Sequence, residues 1–300
     1  MATLREIRRR ISGVRNISKI TQAMKMVAAA KMRRAQDSII SARPYANEMN
    51  ALIRHLVSRV DRSSLPLLLE RHEVDKILLV VVSSDRGLCG GFNTNIIRAA
   101  SARIHETYAD KYKEGKVKIY CIGRRVHDYF VKRDYELVGK HVGIFQHLDF
   151  AKAQQIATDI IDGYLNYDFD KVEIIYNEFK SIIQQRVAVD EFLPIPLEEE
   201  KYVEIGGHTY HSYIDYLYEP SERELMEKII PRHLNFKIWR VLLESNAAAY
   251  SAQMVAMEAA TQNAKELLRS LQLSFNKARQ TSITKEILEI VSGAEALKEA

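Results

Sequence analysis

Apolar and small residues near the C-terminal end of the chain recur at alternating steps of four and three. Leu234, Ile238, Val241, Ser245, Ala248, Ala252, Val255 and Ala259 form such a series, which is the seam of a coiled coil. Residues 234–297 contain no Pro and one Gly, Gly293. They predict a rod on the order of 90–100 Å long at ~1.5 Å of rise per residue. A second stripe runs through Leu4, Ile7, Ile11, Val14, Ile17, Ile20, Met24 and Val27. Its two extra steps of three around Ile17 break a perfect heptad and predict local overwinding. Thr3 and Glu6 have capping-box spacing, and Pro44 predicts a bend or interruption of this helix. Two periodic segments at opposite ends of a chain form an antiparallel pair if both leave one central domain.

Between the two rods the period changes. Residues 77–83 are a β-branched strand, 94–112 have helical periodicity, and 117–122 are a second strand followed by a helix over 124–132. A helix is expected over 151–165, then strands over 172–179 and 186–192 paired as a late hairpin. This alternation predicts a Rossmann-like α/β domain with a partly parallel sheet. The expected organisation is an N-terminal coiled-coil helix (1–58), a central α/β domain (74–196), a linker or foot loop (197–220) and a C-terminal coiled-coil helix (221–300). Pro231 is expected to separate a short lead-in from the long rod. No internal repeat is visible.

Composition narrows this picture. No apolar run reaches the ~18 residues of a membrane span, and the first residues lack the apolar core of a signal peptide. Cys89 and Cys121 have neither CxxC nor zinc spacing, which fits a reducing compartment. The net charge is +5, but residues 1–37 carry ten Lys or Arg against Glu6 and Asp37. That stripe implies an acidic partner: a protein surface, nucleic acid or anionic lipid.

Candidate chemistry is sparse. Residues 84–93 (SDRGLCGGFN) follow the first strand and precede a helix, where a doubly wound domain places a phosphate loop. The glycines lack GxGxxG spacing, no Lys-Ser/Thr follows, and the second strand ends in Ile122-Gly123-Arg124 without a ribose-binding acid. The competing reading is a tight turn needing positive φ. His208 and His211 are three apart without a third ligand nearby, and Cys89 has no adjacent base. A basic-zipper protein would not bracket an α/β domain between its rods. Two alternatives stay open: a nucleotide-dependent enzyme using the α/β domain, and a basic coiled-coil scaffold.

Three segments together resemble one family. Residues 20–32 (ITQAMKMVAAAKM), 85–93 (DRGLCGGFN) and 276–287 (NKARQTSITKEI), continuing into 289–294 (EIVSGA), resemble the γ subunit of F-type ATP synthase in order and spacing. The resemblance covers nearly the whole chain. It implies a non-catalytic central shaft, one copy per complex, turning inside a ring of three α and three β subunits. Rotation driven by proton flow would then be coupled to ATP synthesis or hydrolysis at the β subunits. It also implies that the Gly-rich turn is structural and that the chain itself binds no cofactor, nucleotide or nucleic acid.

By position, Arg279, Gln280 and Thr284 resemble residues that hydrogen-bond a loop of the catalytic subunit. Met24 and Lys25 match a place facing that subunit's acidic lever, where the family often has an acid and this chain has Lys25. Ile287, Leu288, Ile290, Val291 and Leu297 resemble the apolar tip seated in a bearing, where non-directional contacts suit rotation. The α/β domain and residues 213–219 resemble the foot that holds the ε subunit and stands on the c-ring. The implied location is peripheral, on the cytoplasmic face of a bacterial inner membrane. No regulatory cysteine insertion is visible.

Overall fold

A computed structural model describes residues 3–57, 65–69, 71, 73–182, 184–196, 203–205, 208–210, 219 and 221–299. Helix α1 spans Leu4–Val57. Strand β1 (Ile77–Val82) leads to α2 (Phe92–Ala102), a π-helical turn (Arg103–Thr107) and α3 (Ala109–Lys113). Strand β2 (Val117–Ile122), α4 (Arg124–Val131), β3 (Leu137–His141) and α5 (Phe150–Leu165) follow. Strands β4 (Lys171–Phe179) and β5 (Gln185–Leu193) form the hairpin, and β6 (Val203–Ile205) pairs antiparallel with β7 (His208–Tyr210). Helix α6 spans Glu222–Glu299.

The five-stranded sheet has the order β3-β2-β1-β4-β5, with β1 to β4 parallel and β5 antiparallel. The order reverses at β1, as in doubly wound folds, which is the Rossmann-like topology expected. All six residues of β1 are buried because both faces of the sheet are covered. Leu78, Val80 and Val82 face a core shared with Ile156, Ile160 and Tyr164 of α5. Ile77, Leu79 and Val81 face Phe92, Ile96, Val126 and Phe130 of α2 and α4.

Several expectations need correction. Neither Pro44 nor Pro231 interrupts its helix: α1 and α6 run through them. Each Pro removes a backbone bond, but apolar residues on both sides are anchored in the core, Ile39 and Met49 on α1, Ile230 and Leu234 on α6. The helix expected over 94–112 is broken by the π-turn, and β3 has no counterpart among the predicted strands. Its sequence, Leu-Val-Gly-Lys-His, is too short and mixed to read as a strand. Gly139 within it is required, since a Cβ there would lie 2.1 Å from the Tyr120 ring.

The chain divides into two compact units, Met1–Ala29 with Gln253–Ala300, and Ala30–Ala252. In the second unit, α6 contributes Leu234, Ile238, Val241 and Leu242 to the α5-side core, and Ala248 and Ala252 to the opposite one. The series read as a coiled-coil seam is therefore, over 234–252, the face α6 lays on the α/β domain. Leu243 and Ala247, offset from it, cluster instead with Ala35 and Ile39 of α1.

In the first unit α1 and α6 pair antiparallel. The residues of α6 covered there are Met257, Thr261 and Ala264, with Leu268, Leu271, Phe275, Ala278 and Ser282 half-covered. Val255 and Ala259 lie exposed. On α1 the covered row in this unit is Ile7, Ile11, Val14, Ser18, Thr21, Lys25 and Ala28. That row keeps a strict 4-3 alternation, so the expected overwinding at Ile17 has no cause. Ile17, Ile20 and Val27, placed in the seam by the sequence pattern, are 52%, 59% and 56% exposed.

Candidate functional site

The Gly-rich turn at 84–93 sits at the carboxyl ends of the strands. Its Asp85 carboxylate accepts from the backbone N–H of Arg124 at 3.0 Å, Gly143 at 2.7 Å and Phe145 at 3.0 Å. It thereby joins the loops after β1, β2 and β3. The N–H groups at the α4 N-terminus are the kind that hold a phosphate in nucleotide-binding folds, and here an internal carboxylate takes one of them. Asn93 accepts from the Ser84 N–H and hydroxyl, and its amide donates to the Cys89 thiol at 3.1 Å. Gly123 holds φ of 97°, and a Cβ there would meet the Ser83 carbonyl oxygen at 2.1 Å. The turn is thus a built joint, with positive φ at Leu88 and Gly90.

A second carboxylate of the domain is also internally matched. Glu173 on β4 is 2% exposed and receives both a two-pronged Arg103 contact, at 2.8 and 2.7 Å, and the Tyr108 hydroxyl at 2.6 Å. Burial pushes its pKa up, but these donors outweigh that and hold it below the ordinary carboxylate value. The π-turn is what places Arg103 and Tyr108 on the same carboxylate. Burial raises the Cys121 thiol to about 12, making it a poor nucleophile. Among the described residues no group of three His, Cys, Asp or Glu could hold a metal. The His208 side chain and His211 lie outside the described residues.

The residues singled out in sequence fall on α1 and α6. Met24 is half-buried beside the seam, and Lys25 forms an ion pair with Glu258 of α6. One turn away along α1, the Thr21 and Thr261 hydroxyls meet at 2.7 Å, buried within the seam. Arg8 lies over the Phe275 ring, 5.6 Å from its centroid. Beyond Ser282, every residue from 283 to 294 is exposed. Arg279, Gln280 and Thr284 are exposed, and the Thr284 hydroxyl donates to the Gln280 carbonyl at 3.0 Å. Ile287, Leu288, Ile290 and Val291 are 55%, 59%, 71% and 49% exposed. Leu297 belongs to the helix, while its side chain lies outside the described set, as do residues 213–218 of the foot loop. Met24 and Lys25 are neighbours along α1, and the fold brings Lys25 to Glu258; Arg279, Gln280 and Thr284 lie within two turns of one another on α6.

Thr21, Thr261 and Glu258 were not foreseen. The one available signal was that Glu258 and Glu244 are the only formal charges between residues 241 and 262.

The comparisons with known proteins agree with this architecture. A family model described as ATP synthase matches residues 3–297. The ATP synthase gamma chain of Chloroherpeton thalassium is 49% identical over 305 residues, covering 100% of both chains. That of Chlorobaculum parvum is 48% identical over 299 residues, also covering 100% of both. The chain belongs to the ATP synthase gamma chain family. Among solved structures, a chain of the Euglena gracilis mitochondrial ATP synthase superposes with a TM-score of 0.66 at 21% identity, over 98% of this chain and 94% of that one. A chain from the central stalk and c-ring of the Tetrahymena thermophila mitochondrial ATP synthase gives 0.58 at 24% identity, over 80% and 99%. At these identities the superpositions speak for the gamma-chain fold. Membership makes this chain a gamma subunit of a membrane-associated complex, and no described helix is long and apolar enough to cross a membrane.

Proposed function

We propose that the chain is the non-catalytic rotor shaft of a proton-translocating ATP synthase, in one copy per complex, surrounded by a ring of α and β subunits. Family membership over residues 3–297 carries this reading. The exposed end of α6 supports the way it acts. A helix that leaves Ile287, Leu288, Ile290 and Val291 in water has an apolar surface that another protein covers. Non-directional contacts keep nearly the same energy at every angle, which suits a pivot and is what Leu297 would extend.

Arg279, Gln280 and Thr284 form the polar grip on the catalytic subunit. The planar guanidinium of Arg279 suits a loop carrying carboxylate and carbonyl oxygens. Met24 and Lys25 face the catalytic subunit's lever. Because the shaft is not symmetric, each β subunit meets a different face, and rotation shifts the nucleotide affinity of each in turn. The α/β domain serves as the foot, carrying the ε subunit and standing on the c-ring at the cytoplasmic face of the membrane. Nucleotides bind the neighbouring subunits, and this chain needs no cofactor.

Co-purification of the tagged chain with α and β subunits tests the reading, and ATP turnover by the isolated chain would sink it. Arg279→Ala is expected to lower coupled ATP synthesis several-fold in the reconstituted complex, leaving the thermal midpoint of the free chain unchanged. Normal coupling in that variant would remove Arg279 from the grip.

A further inference from the structure

Lys25 stands where the family it resembles often has an acid, and its ammonium does not point a free charge outward. It pairs with Glu258 across the helix pair, with the two side chains 40% and 57% exposed. The Thr21–Thr261 hydrogen bond lies one turn away on the same pair of helices. Because the helices are antiparallel, Thr21 to Lys25 on α1 runs alongside Thr261 to Glu258 on α6, so the buried hydroxyl pair fixes the level at which the two charges meet. Between residues 253 and 262 no other formal charge is present on α6. Lys25 therefore has one acidic partner within the shaft at this level.

We infer that Glu258 is a positioning residue: it holds the Lys25 ammonium on the shaft and away from the carboxylates of the surrounding ring. The inference rests on the rotor reading above. A rotor that presented a free ammonium to an acidic lever would form an ion pair at each catalytic subunit and would have to break it at each step. Exposed ion pairs of this kind correspond to a factor of up to about five in a rate or equilibrium. Pairing within the shaft reduces the outward charge to a small dipole and removes most of that angular preference, while Met24 beside it stays available for apolar contact.

The test uses the complex reconstituted with its α and β subunits. Glu258→Gln frees Lys25 and is expected to slow ATP hydrolysis about fivefold at low salt, with the loss relieved as ionic strength rises. Glu258→Asp keeps the carboxylate and is expected to recover most of the rate. In a Lys25→Gln background, Glu258→Gln is expected to have no further effect. Parental turnover in Glu258→Gln overturns the inference, as does a loss insensitive to salt or a loss equally large without Lys25. A parental chain that fails to assemble with the ring would instead refute the rotor reading. The thermal midpoint of the free Glu258→Gln chain controls for folding and is expected to move by no more than a degree or two.

Discussion

Three loops of the α/β domain meet on the carboxylate of a single residue, Asp85. Its place in a Gly-rich turn was plain, and so was the absence of phosphate-loop spacing. Its partners were not, because Arg124 lies beyond one further strand and Gly143 and Phe145 beyond two. A carboxylate is the one short side chain that accepts from three N–H groups at once. Asp85→Ala leaves those donors to water or unpaired, at a cost of roughly 2 kcal/mol. Thermal denaturation followed by circular dichroism is expected to show a midpoint about 4–8 °C lower. An unchanged midpoint would mean that the three loops hold one another without the carboxylate. Glu173 follows the same logic in a drier place, where the Arg103 and Tyr108 donors were hidden by a π-turn that no periodicity announces.

The two long helices are legible in the sequence as helices, but their covered faces are not. A 4-3 series tells that a stripe is covered but not by what, and α6 carries two such series. The one through Leu234 and Ala252 lies on the α/β domain, and the one through Leu243 and Thr261 follows α1. On α1 the eye follows the larger apolar residues, Ile17 and Ile20, whereas the seam follows phase. Ile7, Ile11 and Val14 at one end and Met32, Ala35 and Ile39 at the other are in strict register, and a helix without a stammer must keep Ser18, Thr21 and Lys25 between them.

The proximal part of α6 also carries ionisable groups into the domain. Lys237 donates to the Glu191 carbonyl at 2.6 Å. Burial brings its pKa down to about 8, aided by Arg240 and opposed by Asp190 and Glu191. Between pH 8 and 10.5 the unfolded chain holds this proton and the folded chain does not. Stability from Lys237 therefore rises with pH through that window, by up to roughly 3 kcal/mol. His233, brought down to about 4 mainly by burial, obeys the same sign lower on the scale. Its contribution is complete above pH 6.5 and is lost as pH falls toward 4. Urea unfolding at pH 8 and pH 10 is expected to show the rise in the parent and not in Lys237→Met. Equal slopes in the two would place that ammonium in water.

At the scale of the whole molecule, the end of α6 is where folding and function separate. Residues 283–294 are all exposed, and four of their aliphatic side chains, Ile287, Leu288, Ile290 and Val291, are about half exposed or more. A terminal segment whose described side chains are all exposed adds little to the stability of its own chain, since helices are held mainly by the surface they cover. Deleting residues 287–300 is therefore expected to leave the thermal midpoint of the free chain within about 2 °C of the parent, given the small free energy at stake. In the complex the same deletion removes the apolar pivot, and a stable interface loses its centre when its aliphatic anchors go. The yield of complex assembled with α and β subunits, and its coupled turnover, are expected to fall together. A truncated chain that assembled and coupled like the parent would show that the bearing lies elsewhere, nearer Arg279 and Thr284. A truncated chain that lost its own fold would show that the tip packs back on the shaft, against the exposure of Ile290 at 71%.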